Sequence, residues 1–257
     1  RNIGLEEAAA RMRGKKGSTV SLTVKSPKTD TVRTVKVTRD TIALNPVYDK
    51  LDEKNGEKVG YIRLNQFSAN AKTEIIKSLN QLQKQGADRY VLDLRNNPGG
   101  LLQAGIEIAR LWLDQETIVY TVNRQGIFES YSAVGQPLTD APLVVLVNQA
   151  TASASEILAG ALQDNGRAML VGEKTFGKGL IQSLFELPDG AGMAVTVAKY
   201  ETPLHHDINK LGIMPDEVVP QEPIGYAMMG SETDLQYQAA LDLLTQDQAI
   251  AQISQAS

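Results

Sequence analysis

The stretch PLVVLVNQATASASEILAGALQDNGRAMLVGE, residues 142–173, decides how this chain folds. PLVVLVN is too short to span a bilayer and too continuously apolar for a strand with one wet face, so it reads as a strand covered on both sides. TASASEILAGAL reads as a helix starting near Ser153, because Ser153 and Glu156 have the S-x-x-E spacing of a capping box. AMLVGE reads as a second buried strand. Strand, helix and strand within roughly 30 residues make the repeating unit of a parallel sheet.

The alternation continues upstream. VGYIRLN (59–65) predicts a strand. NAKTEIIKSLNQLQKQG (70–86) predicts an amphipathic helix with Ile75, Leu79 and Leu82 on one stripe and Gly86 past its end. RYVLDLR (89–95) predicts another buried strand, and LLQAGIEIARLWL (101–113) another helix. Helical crossovers between buried strands predict an α/β domain with mixed α+β features. After residue 178 the pattern changes: LIQSLFEL and GMAVTVAKYE flank PDGA and read as a β-hairpin. DLQYQAALDLLTQ (234–246) reads as a helix packing through Leu235, Ala239 and Leu243, and the AIAQISQAS tail has no assignment. At the other end, residues 5–13 predict a short helix ended by Gly14, and STVSLTV and TVRTVKVTR predict two strands around an SPKTD turn. That helix and hairpin are too small to bury a core alone. The expected domains are therefore 1–42, 43–222 and a helical segment at 223–257.

Composition narrows the chemistry. The 257 residues carry a formal net charge of −4, which leaves no basic footprint for nucleic acid. Cysteine is absent, so disulfides and thiolate metal sites are excluded. No apolar run is long enough for a membrane helix. The abrupt start, RNIGLEEAAARMRG, carries no visible signal peptide, and an upstream extension is expected.

Three motifs carry chemistry: LDLRNNPGG (92–100), NQATASASEILAGAL (148–162) and GEKTFGKGLIQ (172–182). Each has a bland reading. Ser153 alone is a helix cap, and Ser155 competes with it as a nucleophile. Lys178 alone is a solvated loop lysine with Lys174 as its neighbour. Gln182 alone is a polar strand residue, and Gly99 and Gly100 after Pro98 are a turn. Read together they describe a serine nucleophile, a lysine base and a backbone oxyanion site. A serine hydroxyl is a weak nucleophile until a base takes its proton, and a lysine serves as that base only where desolvation keeps it neutral.

These motifs, with GYIRLNQF (60–67) and DINKLGIMPDEVV (207–219), resemble those of the carboxyl-terminal processing peptidases, or tail-specific proteases, in the same order across most of residues 57–220. The resemblance implies a ClpP/crotonase-like βαβ catalytic core preceded by the C-terminal part of a PDZ domain at residues 1–42. It implies Ser153 as nucleophile, Lys178 as general base, Gln182 as the residue orienting the lysine, and the amides of Gly99 and Ala154 as the oxyanion hole. The implied enzyme is an ATP-independent serine endopeptidase that needs no cofactor or metal, takes the C-terminal tails of proteins or peptides as substrates, and works outside the cytosol in a periplasm or thylakoid lumen. DINKLGIMPDEVV and TASASEILAGAL are most similar to the cyanobacterial and plastid type, which matures a photosystem II reaction-centre precursor, a membrane protein.

Other readings compete. GEKTFGK fits the first seven positions of a P-loop, but Gly179 stands where magnesium needs Ser or Thr, and the residues after it read as strand rather than helix; no nucleotide is expected. His205 and His206 lie in an irregular stretch, and no G-x-S-x-G elbow surrounds a serine. A crotonase-like acyl-CoA enzyme would share the core and the glycine turn. A catalytically inactive PDZ-type peptide-binding scaffold would share everything except turnover.

Overall fold

The computed structural model of the chain describes residues 4–25, 31–40, 45–187 and 191–245, in two compact units divided after residue 44. In the first unit α1 (Leu5–Met12) is followed by an antiparallel pair, β1 (Thr19–Lys25) and β2 (Val32–Thr38), in register from Thr19 opposite Thr38. The SPKTD turn lies outside the described residues. The Arg39 side chain gathers this unit, donating to the Met12 carbonyl at 2.7 Å and to Ser18 Oγ at 2.9 Å. Gly14 leaves the room for it, since a Cβ there would meet the Arg39 guanidinium at 2.8 Å.

The second unit is built on a six-stranded sheet. Its strands are β3 (Val47–Lys54), β4 (Glu57–Leu64), β5 (Arg89–Asp93), β8 (Leu143–Val147), β9 (Met169–Gly172) and β12 (Glu217–Val218), in the order β12-β9-β8-β5-β4-β3. All neighbours are parallel except the β3–β4 hairpin. β3 is absent from the sequence-based reading. Its residues are charged and half exposed because it is an edge, but its turn was legible: Asn55 and Gly56 both have positive φ, at 57° and 82°, as an Asn-Gly hairpin loop requires. A second sheet, in the order β10-β11-β6-β7, combines the expected hairpin of β10 (Leu180–Glu186) and β11 (Gly192–Glu201) with β6 (Thr117–Asn123) and β7 (Gly126–Ser132). The turn PDG at 188–190 lies outside the described residues.

Period-two alternation in the buried strands feeds two cores. Ile62, Leu64, Leu92, Val145 and Val147 face α2 (Ala71–Lys84), α3 (Leu102–Ala109) and α4 (Ala154–Asp164). Val59, Tyr61, Val91, Val144, Leu146 and Val171 face α5 (Leu235–Thr245). The C-terminal helix packs on this sheet as one layer of the second unit. Of the expected packing positions, Ala239 and Leu243 lie partly buried against this core, while Leu235 is 58% exposed; the most deeply buried apolar positions are Tyr237, Ala240, Leu241 and Leu244. The helix turns Tyr237 inward because its hydroxyl reaches Asp52 at 3.0 Å and its ring meets Tyr61 edge-on at 5.1 Å. Among the described residues no helix is long and apolar enough to cross a membrane.

Candidate active site

Ser153 stands just past the carboxyl end of β8, where α/β sheets open their ligand crevices, and is the residue that caps α4. Its backbone has φ 59° and ψ −119°, a conformation costly for a residue with a side chain. The capping-box pattern forms from one side as a hydrogen bond: the Glu156 carboxylate accepts the Ser153 N–H at 2.9 Å. The reciprocal contact from the Ser153 side chain is in place without being a cap hydrogen bond, because the Glu156 amide is spent on the Ser153 carbonyl at 2.8 Å. The Ala154 N–H, next along, has no hydrogen-bond partner among the described residues. Such an amide at a helix N-terminus favours developing negative charge.

Ser155, the competing nucleophile, is fully buried and donates its hydroxyl to the Asn97 carbonyl at 3.0 Å. It is part of the wall, not the site. Ser155→Ala is therefore expected to leave peptide turnover within a few fold of wild type and to cost about 1 kcal/mol of stability for the lost hydrogen bond, read by thermal melts beside kcat.

The turn after β5 supplies the opposite side. Asn97 organises it with every polar atom it has. Its Nδ2 donates to the Leu64 carbonyl at 2.7 Å, its Oδ1 accepts the Gly99 N–H at 2.9 Å, and its carbonyl accepts the Ala152 N–H at 3.0 Å as well as the Ser155 hydroxyl. Gly99 (φ 97°) lies against the serine: a Cβ there would sit 2.8 Å from Ser153 Cβ and 2.9 Å from the Ala154 nitrogen. Gly100 (φ 149°) is pressed as closely on Phe67, whose carbonyl a Cβ would meet at 2.3 Å. Both positions need glycine for sign of φ and for space. Of the two expected oxyanion donors, the Ala154 amide is free and the Gly99 amide is occupied by the Asn97 side chain.

Glu156 does a second job that the capping pattern does not reveal. Its side chain is fully buried, and both oxygens are filled by donors. Oε1 accepts Thr175 Oγ1 and the Gly177 N–H, each at 2.6 Å; Oε2 accepts the Ser153 N–H and, at 2.8 Å, the Lys178 N–H. One oxygen atom thus bridges the backbones of Ser153 and Lys178. Thr175 is fixed in turn, its hydroxyl oxygen accepting the Ile213 N–H at 2.7 Å. The glycines flanking Lys178 let this loop pack: a Cβ on Gly177 or Gly179 would fall within 2.9 Å of backbone at Lys210 or Asn209. The Lys178 side chain itself is exposed, as are Lys174 and Gln182, so the desolvation expected of the base is not provided by the described residues. Gln182 is on β10, opposite Thr196 and beside the bulge that follows Ile181.

The rival readings meet specific contacts. The residues after Lys178 form strand β10, not the helix a P-loop opens. Asp93, which a P-loop reading would need as its magnesium aspartate, is fully buried and accepts the Tyr61 hydroxyl at 2.7 Å and Arg95 Nη2 at 2.6 Å. His205 stacks on Tyr120 with ring centroids 4.4 Å apart and pairs with Glu201; His206 lies 3.7 Å from Asp164. No group of His, Cys, Asp and Glu fit to hold a metal occurs among the described residues. Asp234 reaches Arg95 from the loop before α5. Burial alone would raise its carboxyl, but the Arg95 guanidinium and the amides of Gly230 and Tyr237 outweigh that and hold it below the ordinary carboxylate range.

Residues 58–219 match the model of Peptidase family S41. The chain is 68% identical over 250 residues to the carboxyl-terminal-processing protease of Synechocystis sp., covering 97% of this chain and 58% of that protein. It is 47% identical over 227 residues to the chloroplastic carboxyl-terminal-processing peptidase 2 of Arabidopsis thaliana, covering 85% of this chain and 44% of that one. The chain thus spans about half the length of these curated relatives. Among solved structures, a photosystem II D1 C-terminal processing protease superposes with a TM-score of 0.67 at 39% identity, over 96% of this chain and 65% of that one.

Proposed function

The chain belongs to peptidase family S41, and from that premise we propose that it is the catalytic part of an ATP-independent serine endopeptidase that cleaves proteins near their C-termini. Ser153 Oγ attacks the scissile carbonyl, and Lys178 takes the hydroxyl proton and passes it to the leaving amine. The Ala154 amide holds the oxyanion, joined by the Gly99 amide once it turns from Asn97 to the substrate. Water then hydrolyses the acyl-enzyme. Gln182 orients the lysine. The observation that carries this reading is the Glu156 oxygen shared by the Ser153 and Lys178 amides, which ties the two reacting residues to one buried point. Because Lys178 is exposed, the dry surroundings a lysine base needs come from the substrate or from chain packed over it.

Residues 1–42 are, in this reading, the C-terminal part of a PDZ domain, with α1 as one wall of a groove where an extended tail adds as a strand. The relatives' names place such enzymes in cyanobacteria and chloroplasts. That supports a site of action in the periplasm or thylakoid lumen and, with the D1 processing protease as a structural neighbour, a photosystem II precursor as substrate. No observation favours an acyl-CoA enzyme or an inactive scaffold over this reading. The test is a matched pair of peptides, one with a free apolar C-terminus and one amidated, assayed with full-length protein. Cleavage that strongly favours the free carboxylate is expected; equal cleavage overturns tail specificity, and no cleavage of either overturns the peptidase reading.

A further inference from the structure

The Arg95 guanidinium is almost wholly buried, with 2% of its side chain exposed, and every one of its donors is used. Nε donates to Asp93 Oδ1 at 3.0 Å and Nη2 to Asp93 Oδ2 at 2.6 Å. From the other side Asp234 takes Nη1 and Nη2 as a parallel fork, at 2.8 and 2.7 Å, and Gln236 Oε1 accepts the remaining Nη1 hydrogen at 3.0 Å. Burying three charges is a poor route to stability, but such a fork fixes a guanidinium in both position and plane. What is fixed here matters. Arg95 opens the turn on which Ser153 rests, and the next residue, Asn96, is held at φ 59° with its N–H on Asn148 Oδ1 at 3.0 Å. Asn97 then distributes the contacts to Ala152, Ser155 and Gly99. A turn with positive φ at Asn96, Gly99 and Gly100 persists only where its surroundings over-determine it.

We propose that Asp234, 139 residues away along the chain, is a positioning residue for the peptidase reaction, gripping Arg95 so that the strained 96–100 turn holds its place against Ser153. The inference rests on the reading of Ser153 as the nucleophile. Asp234 also caps α5, accepting the Tyr237 N–H at 3.2 Å and the Gly230 N–H at 2.7 Å. Asparagine caps a helix as well as aspartate, so Asp234→Asn removes the charge and one prong of the fork while keeping a capping oxygen.

The experiment measures kcat and KM of full-length wild type, Asp234→Asn and Ser153→Ala on one peptide, per folded molecule as counted by near-UV circular dichroism. A turn displaced by a fraction of an ångström to one ångström lowers kcat of Asp234→Asn by about 10- to 100-fold with KM nearly unchanged. A variant that is merely less stable keeps wild-type kcat in its folded fraction, and that result overturns the proposal. If Asp234→Asn does not fold, Gln236→Met strips a single acceptor from Arg95: a smaller fall in kcat at constant KM is expected, and an unchanged kcat overturns the proposal. Retained turnover in Ser153→Ala would instead overturn the reading beneath it.

Discussion

Lys178→Ala is expected to lower kcat by at least about 10⁴-fold, Ser153→Ala by a similar factor, and the double variant by little more than either, because residues that act as one unit are strongly non-additive. The fold should survive each change. Ser153 holds α4 through its backbone and the Glu156 carboxylate, and Lys178 anchors its loop through its backbone N–H, with its side chain exposed. Neither truncation removes those bonds. Lys174→Ala is the control: Lys174 is exposed in the same loop, and its loss should change kcat by no more than a few fold. Near-normal kcat in Lys178→Ala would remove the lysine from the mechanism.

Glu156→Gln carries the second large effect. The carboxylate faces donors only, two on each oxygen. An amide of the same shape must aim its NH₂ at one of those pairs. Either Ser153 and Lys178 or Thr175 and Gly177 then lose their acceptor and face another donor, and a buried donor left unpaired costs about 1–3 kcal/mol. Either loss loosens the buried point that ties Ser153 to the 175–178 loop, so kcat is expected to drop about 100-fold, the scale of a displaced catalytic group, with a melting temperature lowered by several degrees. Glu156→Ala should fare worse on both counts, since it adds a cavity. Glu156→Gln with full kcat would reduce the shared oxygen to a structural detail.

The sequence made the catalytic sheet legible because its strands are buried on both faces: PLVVLVN and RYVLDLR admit few other readings. Edge and meander strands were harder. Residues 47–54 are mostly charged and only partly buried because the strand is an edge, and only the Asn-Gly pair betrays their hairpin. On α5, Ala239 and Leu243 pack as their spacing suggests, but Leu235 is exposed, and the more deeply buried positions include Tyr237 and even Gln236, which bond to Asp52 and Arg95. Within the site, Ser153, Gly99 and Lys178 were marked by glycines and helix-start chemistry. Glu156 was legible as a cap and nothing more, because its other partners arrive from residues 175–178 through the fold. The pairing of Arg95 with Asp234 has no local signature at all.

Labelling with a fluorophosphonate, followed by peptide mapping and by labelling rates, tests the central claim most directly. The account predicts a single adduct on Ser153, absent in Ser153→Ala and formed far more slowly in Lys178→Ala. An adduct on Ser155 or any other serine, or a wild-type labelling rate in Lys178→Ala, would contradict it.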